Sequence, residues 1–281
     1  MIRAAVLGQP VRHSLSPLLH STAYQWLGVE ASYEAIEHDL NSAVSFLAPI
    51  LDTPLATPDE SWSGFSLTMP LKELVFADQM QGRLTIDEKA KRFHTANTLV
   101  NTGSNFSARS TDMSAFARLL ADYKAANVLV LGAGGTARAA LGGLDGIADR
   151  ITFAVRSLER AAGLAKMAEN LKVHIASFDT LLSQSMPPFD LVISTLPKDA
   201  MSLSLEVLQV HETGALFEVL YNPAPTPALE YAQSRGVAAF DGIDLLVEQA
   251  LDQIELFSGC TFSFDELRVI LKDVARKAVD N

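Results

Sequence analysis

A chain of 281 residues, 48% hydrophobic and 20% charged, has apolar material for one large or two ordinary globular domains. Its net charge of −11 argues against nucleic acid and anionic membranes as partners, although an anionic substrate would still need local positive charge. The single cysteine, Cys260, rules out an intrachain disulfide and a cysteine-based metal site, and the six histidines show no H-E-x-x-H spacing. No stretch approaches the roughly 18 apolar residues of a membrane span, and Met1-Ile2-Arg3 leads into a strand-like run too short for a signal peptide, so a soluble cytoplasmic protein is expected.

Residues 3–7 form an apolar run ending at Gly8 and predict a strand. Ser16 before Pro17 reads as the N-cap of a helix that stops at Gly28. Ser14 and Ser16 then have two readings: a loop hydroxyl and a cap, or two hydroxyls that converge with a helix N-terminus on an anion such as a carboxylate. Residues 32–37 predict a second strand, Asn41 the cap of a helix to about Leu51, and 52–63, with two prolines, a loop. Residues 64–67 read as a short strand, followed by a helix opened by Pro70 and capped by Thr68. Lys72 falls in the first turn of that helix, where the partial positive charge disfavours a cation. It is either a solvated lysine or one placed for proton transfer. Residues 95–100 and 106–112 predict two strands around a polar turn. Asn97 and Asp112 fall at element ends, where side chains can face a cleft; Asp112 alternatively caps a helix over 113–123.

Residues 128–131 read as a strand buried on both faces, as in a parallel sheet. The segment Gly132-Ala133-Gly134-Gly135-Thr136-Ala137 fits G-x-G-x-x-G/A and leads into an Ala-rich helical stretch. Gly132 suits a tight turn, Gly134 lets the backbone approach a pyrophosphate, and small Ala137 allows close helix–strand packing. A second strand, 151–155, ends without the acidic residue that would bond an adenosine 2′-hydroxyl. Arg156 and Ser157 stand there, with Arg160 one turn on and Glu159 between them, which favours a 2′-phosphate and hence NADP. Strands follow at 173–176, 191–195, 215–220 and 237–240, with Thr195 at a carboxyl edge and Thr226 capping a helix that ends near Gly236. The long helix from Gly242 carries Leu246, Ala250, Ile254 and Phe257 on one stripe, with Gln249 off it and so expected in solvent. Ser263 to Glu266 read as a capping box for a last helix, with Phe264, Leu267, Leu271, Val274 and Ala278 on its buried face.

Taken in order, several short motifs carry a resemblance. They are Gly8-Gln9-Pro10 with His13-Ser14-Leu15-Ser16-Pro17 and His20; Gly64, Thr68, Pro70 and Lys72; Asn97-Thr98; Thr111-Asp112; the Gly-rich turn and Arg156; residues 194–197; Tyr221-Asn222-Pro223 with Thr226-Pro227; and Gly242 with Gln249. The chain resembles the shikimate dehydrogenase family, enzymes that reduce 3-dehydroshikimate with NADPH on the route to chorismate and aromatic amino acids.

The resemblance implies two α/β domains. One is a substrate domain over 1–104, completed by helices from 243–281, and the other a Rossmann-type parallel-sheet domain over 105–242, the ligands meeting between them. It implies that Ser14 and Ser16 hold the substrate carboxylate with Tyr221, that Thr68, Asn97, Asp112 and Gln249 bind ring hydroxyls, and that Lys72 is the acid/base with Asp112 as partner. Arg156 receives the 2′-phosphate, and Gly242 and Leu245 lie near the nicotinamide. NADP(H) is the expected cofactor and no metal is expected; the protein is a monomer or homodimer. Ser66 stands where the family pattern has asparagine, Glu218 where it has aspartate and Leu245 where methionine is common. The rival readings are an NAD-linked quinate/shikimate dehydrogenase and a non-catalytic NADP-binding sensor.

Overall fold

The computed structural model describes residues 1–53, 61–123 and 125–279, so most of the expected 52–63 loop lies outside the described residues. The chain divides into two compact units, Met1–Thr111 with Leu246–Ala278, and Asp112–Leu245.

In the first unit, β1 (Ile2–Gly8) pairs in parallel with β2 (Ala31–Glu37) on one side and β3 (Gly64–Leu67) on the other. Strands β5 (Thr98–Asn101) and β6 (Phe106–Arg109) continue the sheet antiparallel, and short β4 (Thr85–Ile86) joins β6 at the edge. The order is β2-β1-β3-β5-β6-β4. Because β6 belongs to this sheet, the unit runs to Thr111, beyond the 104/105 division drawn from the sequence. Helix α2 (Leu40–Asp52) lays Ala43 and Leu47 on Ala5, Leu7, Phe65 and Leu67. Each fully buried leucine or phenylalanine there contributes about 1.5–3 kcal/mol.

Helix starts differ from the expected caps. Helix α1 (Ser16–Leu27) includes Ser16 as its first residue, with Leu15 at the N-cap; the Ser14 hydroxyl accepts the Ser16 amide at 3.2 Å. Asp39, not Asn41, caps α2, in a reciprocal box with Ser42, because a carboxylate is the stronger acceptor at a helix N-terminus. After β3 the chain forms a 3-10 turn, Leu71–Phe76, rather than an α-helix, and Thr68 stays outside it, capping nothing. Helix α3 spans Glu88–Phe93, and α4 (Thr111–Leu119) starts before Asp112, which lies in its first turn and is not its cap.

Two C-terminal helices, α10 (Gly242–Ser258) and α11 (Phe264–Val279), contribute to this unit from Leu246 onward. Gly64 has to be glycine because an added Cβ would lie 2.2 Å from Phe257 Cε1 on α10. The Ser263 hydroxyl accepts the Glu266 amide at 3.4 Å. Leu267, Leu271 and Ala275 form the buried row of α11; Ala278 is exposed, because the i, i+4 step passes through 275 instead.

In the second unit, β7 (Asn127–Leu131), β8 (Arg150–Val155), β9 (Lys172–Ser177), β10 (Phe189–Ser194), β11 (Thr213–Glu218) and β12 (Ala238–Phe240) are all parallel, in the order β12-β11-β10-β7-β8-β9. The order reverses between β7 and β10, the doubly wound arrangement whose ligands bind at the carboxyl ends of the strands. Helices α7 (Phe178–Ser183), α8 (Met201–Val210) and α9 (Pro227–Ser234) cover one face, where Leu129, Leu131, Val192 and Leu216 meet Leu181, Val207 and Leu229. On the other face Phe116 of α4 packs on Phe217, with ring centroids 5.1 Å apart, and Gly143 of α5 (Gly135–Leu144) lies so close that a Cβ would reach Phe116 Cβ at 2.7 Å. Strands with covered faces must be apolar throughout, which is why 128–131 reads as an unbroken run. Among the described residues no helix is long and apolar enough to cross a membrane.

Candidate active site

In the first unit the candidate substrate residues are drawn together by backbone hydrogen bonds. Gly8 presses on Thr68 (an added Cβ would lie 2.4 Å from Thr68 Cγ2), and the Gln9 amide donates to Met69 O at 2.9 Å. The Ser14–Ser16 turn therefore leaves β1 beside the end of β3. The Ala96 amide donates to Lys72 O at 2.8 Å and the Leu67 amide to Asn97 O at 2.8 Å, so Lys72 and Asn97 are neighbours. Lys72 is half-buried.

Asn97 is buried and its amide is fully engaged. Its Oδ1 accepts the Thr111 amide at 2.7 Å, and its Nδ2 donates to Thr111 Oγ1 at 2.9 Å and Gln249 Oε1 at 3.2 Å. Gln249 is 7% exposed, contrary to its expected place in solvent. Helix α10 is enclosed on more than its apolar stripe, and Glu248 and Gln253 are buried too, Glu248 by pairing with Arg268. Asp112 follows Thr111 directly and is buried.

Beneath this cluster lie three buried side chains: Ser66, noted from the sequence only as a departure from the family pattern, and Tyr33 and Gln253, which were not singled out. The Tyr33 hydroxyl donates to Ser66 Oγ at 2.7 Å, and Ser66 Oγ donates to Gln253 Oε1 at 2.8 Å. His20 stacks on Tyr33, with ring centroids 3.8 Å apart. Burial pushes His20 down to about 3, against the raising influence of Gln253, so the ring is neutral at physiological pH. Burial pushes the Tyr33 phenol up, so it too stays protonated. The signal for Gln253 was its spacing, one helical turn after Gln249 on the same face.

In the second unit the Gly-rich turn sits at the carboxyl end of β7. Gly132 has φ +106°, a region that favours glycine, and a Cβ there would lie 2.6 Å from Thr195 Oγ1. Thr195 donates through its hydroxyl to Leu131 O at 2.8 Å, tying the ends of β7 and β10. Gly134 is the N-cap of α5, and a Cβ there meets nothing within 4 Å. Protein packing therefore gives no reason for glycine at 134, whereas close approach of a phosphate does. Ala133, Gly135 and Thr136 complete the turn, and Ala137 is fully buried. Arg156 is exposed just past β8, and Ser157 caps the short α6 (Leu158–Ala161) by accepting the Arg160 amide at 3.4 Å. This donor set fits a dinucleotide carrying a 2′-phosphate: a helix N-terminus for the pyrophosphate and guanidinium groups for the extra charge. A Cβ on Gly242 would lie 2.3 Å from Val219 O, so this position too is confined to glycine; Leu245 is buried and Tyr221 half-buried. A separate hollow of about 860 Å³, lined by Asn127, Arg150 and Lys172, lies at the amino ends of these strands, away from the Gly-rich turn.

Comparison with known proteins gives the family. Residues 6–99 match the shikimate dehydrogenase substrate binding domain. A shikimate dehydrogenase (NADP(+)) of Exiguobacterium sp. is 30% identical over 264 residues, covering 91% of this chain and 92% of that protein. The chain belongs to the shikimate dehydrogenase family. The crystal structure of the Mycobacterium tuberculosis shikimate dehydrogenase aligns at a TM-score of 0.80 and 30% identity, over 97% of this chain and 99% of that one. A Thermus thermophilus shikimate 5-dehydrogenase, solved in complex with NADP(H) and shikimate, aligns at 0.76 and 26% identity, over 99% and 100%.

One departure from the shikimate dehydrogenase pattern has an energetic consequence. Glu218 ends β11 fully buried; its Oε1 accepts the Leu220 amide at 3.2 Å, while Oε2 has no hydrogen-bond partner. Burial pushes its carboxyl up to about 7, against bonds from Leu220, Ser194 and Val219. The folded chain thus holds a proton there that an unfolded glutamate loses near 4.5, and stability falls as pH rises between these values. The interval corresponds to about 3 kcal/mol. Glu218→Gln removes the charge, so its stability relative to the native chain should rise by about that amount between pH 4 and pH 8 in urea titrations. An equal difference at both pH values would show that the carboxyl titrates normally.

Proposed function

We propose that this chain is an NADP-dependent shikimate dehydrogenase that interconverts 3-dehydroshikimate and shikimate. The observation that carries this reading is the backbone tie between Ala96 and Lys72, which sets a lysine beside the Asn97 hydroxyl-binding amide in a unit matched to the family's substrate-binding domain. Bound NADPH supplies the hydride for the C3 carbonyl carbon. As charge develops on the carbonyl oxygen, the Lys72 ammonium stabilises it and gives it a proton, leaving the C3 alcohol. Asp112 acts as the partner of Lys72 in handling that proton. Ser14 and Ser16, with Tyr221, hold the substrate carboxylate, and Thr68, Asn97 and Gln249 bind ring hydroxyls. The Gly132–Ala137 turn takes the pyrophosphate, Arg156, Ser157 and Arg160 the 2′-phosphate, and Thr195, Gly242 and Leu245 the remainder of the cofactor. A cytoplasmic monomer or homodimer is part of the same reading, and the free thiol of Cys260 accords with a reducing compartment.

The test is the initial rate of nucleotide reduction with shikimate, run with NADP and with NAD, and repeated with quinate. Turnover that needs shikimate and NADP supports the reading. A preference for NAD or quinate moves the chain to the rival branch of the family, and a folded protein that binds NADP without turnover with either substrate is a sensor.

A further inference from the structure

The turn that follows β11 carries Tyr221, and the side chain that ends the strand holds it from beneath. The Val219 amide continues the ladder, donating to Ser194 O at 3.1 Å. The next amide, that of Leu220, donates instead to Glu218 Oε1 at 3.2 Å. Gly242 backs the same peptide: a Cβ there would lie 2.8 Å from Leu220 C. At its far end the turn enters α9 through Thr226, whose hydroxyl accepts the Leu229 amide at 3.3 Å. Glu218 itself has no counter-ion. It shares a strand face with Leu216, which packs in one cluster with Val207 of α8 and Ala228 and Leu229 of α9. Its register partner on β10 is Ser194, whose hydroxyl lies 2.6 Å from that of Ser204 on α8. Strands β10, β11 and β12 and helices α8, α9 and α10 contain no lysine or arginine. The acidic residues of α8 and α9, Glu206 and Glu230, are exposed, and Asp241 caps the start of α10 by accepting the Ile243 and Asp244 amides. A proton, not a cation, is therefore what neutralises the Glu218 carboxyl.

We propose that Glu218 is a positioning residue for Tyr221: through the Leu220 amide its buried carboxyl holds the turn that offers Tyr221 to the substrate carboxylate. The proposal rests on the shikimate reading above, in which Tyr221 has that task. The hold depends on the proton. Under the closed turn, burial keeps the carboxyl protonated up to about 7, whereas a glutamate in water titrates near 4.5. The closed turn thus binds the proton more tightly than a turn opened to water. As pH rises through 7 the closed form loses ground to the open one, by at most about tenfold per pH unit, and the binding-competent fraction falls with it.

The experiment measures the KM for shikimate from pH 6 to pH 9 in the full-length enzyme, in Glu218→Gln, in Tyr221→Phe and in the double variant. Glutamine keeps an oxygen for the Leu220 amide and cannot ionise. The ratio of the native KM to that of Glu218→Gln should rise about tenfold over this range, while the kcat ratio and the ratio of KM values for NADP stay within about twofold. A carboxyl that only stabilised the fold would deplete folded enzyme as pH rose, lowering the apparent kcat and leaving KM alone. In the Tyr221→Phe background the rise should shrink to about twofold or less, because the group through which Glu218 acts is gone. A constant ratio overturns the proposal, as does an equal rise in the Tyr221→Phe background. If Glu218→Gln fails to fold, the native enzyme and Tyr221→Phe decide: the native KM must climb more steeply above pH 7, and parallel profiles overturn the proposal. A native enzyme inactive on shikimate refutes the functional reading instead, before any variant is compared.

Discussion

Replacing Lys72 by methionine should lower kcat for shikimate oxidation with NADP by about 10²–10⁴-fold, the range that a positioned acid/base contributes. Lys72 is half-buried and its backbone, not its ammonium, carries the bond to Ala96, so the variant should unfold at the native temperature. Methionine keeps most of the aliphatic stem and removes the charge and the proton. Because the interaction with the developing alkoxide is made mainly in the transition state, kcat and kcat/KM should fall together while the KM for shikimate moves little. Steady-state rates alongside thermal unfolding check this. Near-native turnover in a folded variant would remove Lys72 from the chemistry and leave the proton donor to be found elsewhere in the first unit.

Arg156→Gln should raise the KM for NADP by about 10–100-fold while leaving the KM for NAD within about twofold, since a hydrogen bond to a charged group contributes roughly 1.5–3 kcal/mol. The side chain is exposed at the strand tip, so no core packing is lost. Glu159 stands nearby in the first turn of α6, and with the arginine gone its carboxylate further disfavours a 2′-phosphate. The ratio of kcat/KM for the two nucleotides is the deciding quantity. An unchanged ratio would transfer the recognition of the phosphate to Arg160.

The second unit was readable from the sequence because its determinants are local. A strand covered on both faces has to be an apolar run, and Gly132 at φ +106° tolerates little else, so 128–137 states its own fold. Caps were less legible. Asp39 and Asn41, or Leu15 and Ser16, differ by a residue or two, and which one starts the helix is decided by the carboxylate of Asp39 or by where the preceding turn leaves the chain. Gln249 and Glu218 were hidden for another reason. Each sits in a segment whose pattern describes one face of its own element, while a neighbour far away in the sequence helps to enclose it: Asn97 for Gln249, β10 for Glu218. Polar side chains that bond each other across strands, such as Tyr33 and Ser66, leave no periodic trace.

The first unit is made from two pieces of chain, and the bond between Ser66 and Gln253 joins positions 187 residues apart. On the ribosome, Asp112–Leu245 emerges as one uninterrupted length and has all its strands before α11 is translated. The sheet of the first unit has to wait for α10 and α11 to arrive, and until then the space that Gly64 leaves for Phe257 is open. Synthesis order therefore makes the nucleotide half the earlier to mature, and leaves the bond between Ser66 and Gln253 among the later ones to form.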